Sequence, residues 1–251
     1  MNQHLYVITG ASRGMGLAIA RQLLAPGHTV LCISRSTSEM LARETRAAGA
    51  TLLQWSQDLA FGEQASERLA QWLGQQDASA FDSAPLINNA GVISRISPLS
   101  AEEPADLANA LRVGLEAPMQ LTAAFLHATQ HWTAARRVLN ISSGMGRRAM
   151  ASQAAYCAAK AGMDHFTRCL ALDEALKPNG AAVCSLAPGV IDTDMQVQLR
   201  GADAAAFPDQ GNFTRLKQSG QLSTPADAAA RVLSYLDRPQ FGANPVADVR
   251  D

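Results

Sequence analysis

Short apolar runs rich in β-branched residues alternate with stretches of helical period along most of the chain, and few folds accept that order. The runs read LYVIT, TVLCIS, TLLQW, PLINNAG, RVLNISS and AAVCSLAP, and helices are expected between them near 14–25, 37–48, 62–76, 101–132 and 152–177. Strand–helix alternation of this kind predicts a parallel sheet covered by helices on both faces, and right-handed crossovers make it doubly wound. The rhythm breaks at 192–223, where mixed polarity, glycine and proline predict an insertion over the carboxyl ends of the strands, the side on which such sheets bind ligands. A last helix is expected from TPADAAARVLSYL, with Thr224 as N-cap and Pro225 at its first position, before the closing PVADVRD. The 251 residues are 47% apolar, enough for a sizeable core, and no linker or repeat divides them. A single α/β domain spanning 1–251 is expected.

A net charge of −1 with interspersed signs offers no basic stripe, which argues against nucleic acid or an anionic membrane as partner and for a small molecule. MNQHLYVITG has no basic segment followed by a long apolar one, and no stretch approaches the ~18 apolar residues of a membrane span, so a cytoplasmic location is expected. Cys32, Cys157, Cys169 and Cys184 are scattered, without metal-ligand spacing, so neither a zinc site nor a disulfide framework is expected. Most of them read as small core residues, with Cys157 either buried or accessible beside Tyr156.

The segment YVITGASRGMGLAIARQLL sets Gly10, Gly14 and Gly16 between the first strand and an amphipathic helix. Such a turn is either a tight connection or the cradle of a dinucleotide, whose pyrophosphate would meet the free N–H groups of the helix N-terminus. In the second reading Gly10, Ser12, Arg13, Gly14, Met15 and Gly16 contact the cofactor. The second strand ends CISRS, with Ser34 where an acidic residue would serve NAD, and Arg35 beside it. Arg13 and Arg35 are either two solvated arginines or, taken with Ser34, a site for the 2′-phosphate of NADP. NADP is the expected cofactor.

In SQAAYCAAKAGMDHF, Tyr156 and Lys160 stand four apart in an alanine-rich helix and therefore project together. Alone, that pair is no more than a half-buried tyrosine and a solvated lysine. With TGxxxGxG at Thr9–Gly16, DL at Asp58–Leu59, NNAG at Asn88–Gly91, ISS at Ile141–Ser143 and PGVIDT at Pro188–Thr193, the chain resembles the short-chain dehydrogenase/reductase family over essentially its whole length. Through YVITGASRGMG, YCAAKAGMDHFTRCLALDE and APGVIDTDMQ, it is most similar to members of the sepiapterin reductase and benzil reductase type.

The resemblance implies a Rossmann-like three-layer α/β/α fold, NAD(P) use and assembly as a homodimer or homotetramer. It implies that Asp58 and Leu59 contact the adenine, that Asn89, Ala90 and Gly91 line the cofactor, and that Pro188, Gly189, Val190, Ile191 and Thr193 face the nicotinamide. Read from the residues alone, Asp58 is equally a cap for the next turn, and the asparagines equally satisfy buried backbone. As catalytic group Tyr156 would give the proton in carbonyl reduction. Lys160 would lower the phenol's pKa and hold the nicotinamide ribose, and Ser143 would bind the substrate oxygen. The implied activity is NADPH-dependent reduction of a ketone, a diketone or a pterin-like side chain. The alternatives are reduction of a 3-oxoacyl thioester and a non-catalytic NADP-binding sensor or scaffold.

One position departs from the family. An asparagine that helps to hold a relay water normally stands four residues before a proline, but RVGLEAP places Gly114 there. A bare backbone carbonyl, or Glu116, is expected to hold the water instead. Met145, Met150, Met195, Phe207 and Phe213 form either an adaptable substrate pocket or ordinary core. Arg147 and Arg148 are expected in solvent, the alternative being that they accept an acidic or phosphorylated substrate.

Overall fold

The computed structural model describes residues 3–251. Seven strands form one parallel sheet in the order β3-β2-β1-β4-β5-β6-β7: His4–Thr9 (β1), His28–Ser34 (β2), Thr51–Ser56 (β3), Ser83–Asn88 (β4), Ala135–Ile141 (β5), Ala182–Ala187 (β6) and Val246–Asp248 (β7). Helices Gly14–Gln22 (α1), Glu39–Ala48 (α2), Glu-rich Gly62–Leu73 (α3), Pro104–Leu111 (α4), Ala117–Ala128 (α5) and Ala154–Ala175 (α6) alternate with the strands. Asp194–Arg200 (α7) and Gln210–Gln218 (α8) lie in the region that breaks the rhythm, and Pro225–Leu236 (α9) follows. This is the expected Rossmann-like architecture, and its order reverses between β1 and β4, where ligands of such sheets bind.

The central strands are mainly apolar because both of their faces are buried. Leu5 and Val7 of β1 join one core with Leu31 and Ile33 of β2, while Tyr6 and Ile8 join the opposite core with Val30 and Cys32. The period of two thus splits each strand between two helical layers. Thr224 caps α9 as expected, its Oγ1 accepting from the Asp227 N–H at 3.1 Å.

Three details differ from the sequence expectation. The stretch 101–132 is not one helix: α4 and α5 are joined by a π-helical turn, Arg112–Glu116. Pro118, the second residue of α5, has no N–H to give the preceding turn, and the wider turn absorbs the mismatch. PVADVRD contributes the short edge strand β7, too brief to show a period. Cys169 is exposed, while Cys32 and Cys184 are buried as expected and Cys157 is half-buried.

Buried polar side chains cross the layers at the centre. Asn88 Nδ2 donates to Thr122 Oγ1 on α5 (3.0 Å) and to Asn140 Oδ1 on β5 (2.9 Å), and Asn140 Nδ2 donates to Thr167 Oγ1 on α6 (2.9 Å). Asn140 is the hub of this chain of bonds. Asn140→Ala strands one donor of Asn88 in a fully buried place and removes the bond that Thr167 Oγ1 accepts, while Thr167 keeps its bond to the Met163 carbonyl, and the expected cost is about 1–3 kcal/mol. Urea denaturation reads it as a lower midpoint at unchanged slope.

Candidate active site

The site starts at the carboxyl end of β1. Gly10 takes φ 66°, and a Cβ there would stand 2.9 Å from Ala90 Cα. At Gly16 a Cβ would strike the Gly10 carbonyl and the Asn89 amide, so neither position admits a side chain. Asn89 braces the turn: its Nδ2 donates to the carbonyls of Thr9 (3.0 Å) and Gly10 (3.2 Å). Thr9 Oγ1 accepts from the backbone N–H groups of Asn89 (2.9 Å) and Ala90 (3.0 Å). Helix α1 begins at Gly14 with no side-chain cap, which leaves its first N–H groups for an anion.

A cleft of about 760 Å³ runs from this turn across the sheet edge to α6, and every residue singled out from the sequence as catalytic or cofactor-binding lines it. The glycine turn (Gly10, Ser12–Gly16) forms one wall, with Ser34 and Arg35 at the end of β2. Asp58 and Leu59 follow β3, Asn89–Gly91 follow β4, and the loop Pro188–Thr193 follows β6. That loop is held by backbone bonds from Ser223 to Val190 and from Asp192 to Ser223.

Some of these groups already have partners. Ser34 Oγ accepts from the Ala11 N–H at 2.8 Å, so it shapes the glycine turn as well as facing the cleft. Asp58 Oδ1 caps the next turn through the Ala60 N–H at 2.9 Å while also lining the cleft. Arg13 pairs with Asp194 at the start of α7 (2.8 Å), both largely exposed, and so ties the glycine turn to the 192–223 region. Arg35 is exposed beside it. A turn that excludes Cβ atoms, an uncapped helix end and two guanidiniums at one extremity fit an extended, phosphate-bearing dinucleotide.

At the opposite end stand Ser143, Tyr156 and Lys160. Tyr156 and Lys160 share a face of α6 and are 8% and 3% exposed. Lys160 Nζ donates to the Ile141 carbonyl at 2.7 Å and lies 5.7 Å from the centre of the Tyr156 ring. Ser143 sits just beyond β5, its Oγ accepting from the Met145 N–H at 3.2 Å. Burial dominates and pushes the phenol's pKa up, against a smaller downward pull from the Ser143 hydroxyl. Burial also drives Lys160 down to about 8, with Asp164 opposing it. The ammonium is directed at a carbonyl rather than at the phenol, and both groups are desolvated, so each is driven towards its neutral form.

Gly114 is pressed against α6, where a Cβ would stand 3.0 Å from the Ala159 Cβ. In the π turn the Ala117 N–H goes to the Arg112 carbonyl instead of that of Val113, and Pro118 has no N–H. The Val113 carbonyl thereby loses both of its helical donors, in a residue that lines the cleft. Glu116 is not a substitute: it is exposed and accepts from Gln120 Nε2 at 3.0 Å. Asn109 lies at the cleft, on a different face from Gly114.

Met145, Met195 and Phe213 line the cleft, whereas Met150 and Phe207 serve only the small apolar cluster beneath α7 and α8. Arg147 and Arg148 are both exposed as expected, and Arg147 is in addition anchored: its Nη2 donates to the Ala247 carbonyl at 2.6 Å and its Nε lies 3.5 Å from Asp164. Sequence reasoning missed Gln153 and Gln196, which line the cleft, and Asp164 beneath it. Asp164 had a readable signal, four residues after Lys160 on the same helix face; the glutamines had none. Among the described residues no cluster of three metal-ligating side chains occurs and no helix is long and apolar enough to cross a membrane.

The short chain dehydrogenase family model matches residues 4–204. The benzil reductase ((S)-benzoin forming) of Bacillus cereus is 34% identical over 235 residues, 94% of this chain and 94% of its own. The sepiapterin reductase of Meriones unguiculatus is 30% identical over 256 residues, covering 98% of this chain and 95% of its own. A crystal structure of a putative 2-deoxy-D-gluconate 3-dehydrogenase from Agrobacterium tumefaciens with bound NADP superposes at a TM-score of 0.80, with 26% identity, over 99% of this chain and 96% of that one.

The close fit at Gly114 has a measurable consequence. Gly114→Ala is expected to cost about 1–3 kcal/mol of overpacking, partly offset by helix propensity. Ala159→Gly removes the opposing methyl, so the two changes together should cost less than the sum of their separate effects by about 1 kcal/mol. Thermal unfolding of the four proteins measures that coupling.

Proposed function

The chain belongs to the short-chain dehydrogenase/reductase family of oxidoreductases, and from that premise we propose that it reduces ketones and diketones with NADPH. The observation that carries the proposal is the meeting of Ser143, Tyr156 and Lys160 at one end of a single cleft whose other end is the glycine-rich turn. NADPH supplies a hydride when bound. The glycine turn and the uncapped end of α1 would hold its pyrophosphate, Asp58 and Leu59 its adenine, and Arg13 and Arg35 its 2′-phosphate. Residues Asn89–Gly91, Lys160 and the Pro188–Thr193 loop would hold the nicotinamide riboside. Taking the phosphate would draw Arg13 from Asp194, a pair so exposed that its loss costs little.

The substrate oxygen would accept hydrogen bonds from Ser143 Oγ and Tyr156 Oη. As the carbonyl carbon is reduced, the Tyr156 proton passes to that oxygen and completes the alcohol. A phenol whose pKa is raised by burial stays protonated at neutral pH, which suits the donor role. Lys160, with its pKa brought down to about 8, is still mainly an ammonium at neutral pH, and its charge limits the cost of the phenolate left behind. The bare Val113 carbonyl offers the seat for a relay water that the missing asparagine would otherwise help to hold. Met145, Met195 and Phe213 make the substrate end apolar, which matches the aromatic diketone of the benzil reductase relative better than a charged substrate.

NADPH oxidation against benzil, sepiapterin, simple ketones and a 3-oxoacyl thioester tests the reading. Turnover of diketones is expected, NADPH should be preferred to NADH, and Tyr156→Phe should lower kcat/KM by about 10²-fold or more. Preference for the thioester would favour the acyl-reductase alternative. NADPH binding with no carbonyl reduced, or an equally active Tyr156→Phe variant, would overturn the reductase. Equal or tighter binding of NADH would overturn the role of the two arginines.

A further inference from the structure

We propose that Asp164 is the positioning residue of the site: its carboxylate clamps the strand end that carries Ser143 onto α6 and sustains the positive charge of Lys160. The proposal rests on the reductase reading for its meaning, though not for its test. Asp164 is 2% exposed, one helical turn beyond Lys160 on the same face of α6. Its Oδ1 accepts from Ser142 Oγ at 2.5 Å and from Ser185 Oγ on β6 at 2.7 Å. Ser142 is the residue immediately before Ser143, so this one carboxylate oxygen ties both neighbouring strands to the helix of Tyr156 and Lys160.

The other oxygen, Oδ2, is buried with no hydrogen-bond partner, and the closest cation is Arg147 Nε at 3.5 Å. A carboxylate so enclosed costs several kcal/mol unless positive charge faces it. Arg147 does so directly, and Lys160, one helical turn back on α6, attracts it at longer range. Arg147 is held there by its bond to the Ala247 carbonyl, and Lys160 by its bond to the Ile141 carbonyl. A Cβ at Gly146 would stand 3.0 Å from Oδ2, so the turn that carries Arg147 closes over the carboxylate without a side chain between them.

The surroundings contain little else that ionises. Helix α6 contributes Tyr156, and β6 contributes Cys184, whose thiol is pushed up to about 12. Tyr235 of α9 lies against Cys184, and Asp248 of β7 pairs with Arg250. The π turn brings only Gly114 against Ala159 and Leu115 against Gly162, with Arg112 and Glu116 turned to solvent. Asp164 is therefore the one anion facing Lys160, and it opposes the burial that would neutralise the amine.

The chain has only three lysines, Lys160, Lys177 and Lys217, so carbon-13 labelling of lysine at Cε gives a spectrum simple enough to titrate each one. Lys160→Arg assigns its signal. In the wild type the Lys160 midpoint is expected at about 8. In Asp164→Asn, which keeps an acceptor for both serines, it should fall by about one unit or more. Ser185→Ala keeps the charge and should lower thermal stability while leaving the midpoint in place.

Should Asp164→Asn fail to fold, Arg147→Gln decides: with the competing cation gone, the midpoint must rise. An unchanged midpoint in folded Asp164→Asn, or no rise in Arg147→Gln where that variant decides, overturns the proposal. The titration needs no substrate, so it stands apart from any failure to find turnover. Where turnover is found, the alkaline limb of kcat/KM for reduction should move down in Asp164→Asn, because loss of the anion eases deprotonation of Lys160 and Tyr156 alike. A purely structural role would lower kcat with the limb unmoved.

Discussion

The hydrogen bonds that pin α6 to the strands beneath it determine where everything else in the cleft lies. Apolar contact holds a helix against a sheet but is non-directional, and it resists sliding along the axis only through the shapes of the side chains. Asn140 to Thr167, and Ser142 and Ser185 to Asp164, add directional restraints at two levels of the same helix. Between those levels and the cleft stand Lys160 and Tyr156. Buried bonds of this kind contribute little net stability when made and cost far more when broken, which favours one register over its neighbours.

That register has an electrostatic consequence. A phenol and an amine are buried side by side, and each resists the charged form that its neighbour would stabilise. The resting site is consequently close to a protonated phenol beside an ammonium, a state suited to giving a proton. Asp164 lies one layer deeper, with the partly exposed Arg147 beside its carboxylate. The mouth of the cleft is different in kind: Arg13, Arg35 and Asp194 are exposed, screened and free to exchange partners.

Much of the architecture was legible in the sequence because burial on both faces leaves a strong mark. Strands such as TVLCIS carry apolar residues on both alternations, and Gly10 and Gly16 of the first turn stand where a Cβ has no room. What could not be read depends on contacts distant along the chain. Arg147 looks like a surface residue until β7 supplies the carbonyl it binds and α6 the carboxylate. The π turn follows from Pro118 only when the helix is known to continue through it. Met150 and Phe207 were indistinguishable by composition from Met145 and Phe213, since side-chain chemistry does not say which members of one apolar cluster also reach the cleft. Ser34 and Asp58 show a further limit: each holds the backbone and faces the cleft at once, so alternatives that looked exclusive are both present.

The central claim is that the phenol at 156 and the amine at 160 serve hydride transfer from a nicotinamide lying in this cleft to a carbonyl carbon. Mass spectrometry of the alcohol formed from benzil and NADPH deuterated at its transferable position tests it most directly. One deuterium on the carbinol carbon, delivered by the wild type and almost absent with Tyr156→Phe, is the predicted result. Saturating NADPH with benzil left unreduced, or equal deuterium delivery by the phenylalanine variant, would contradict it.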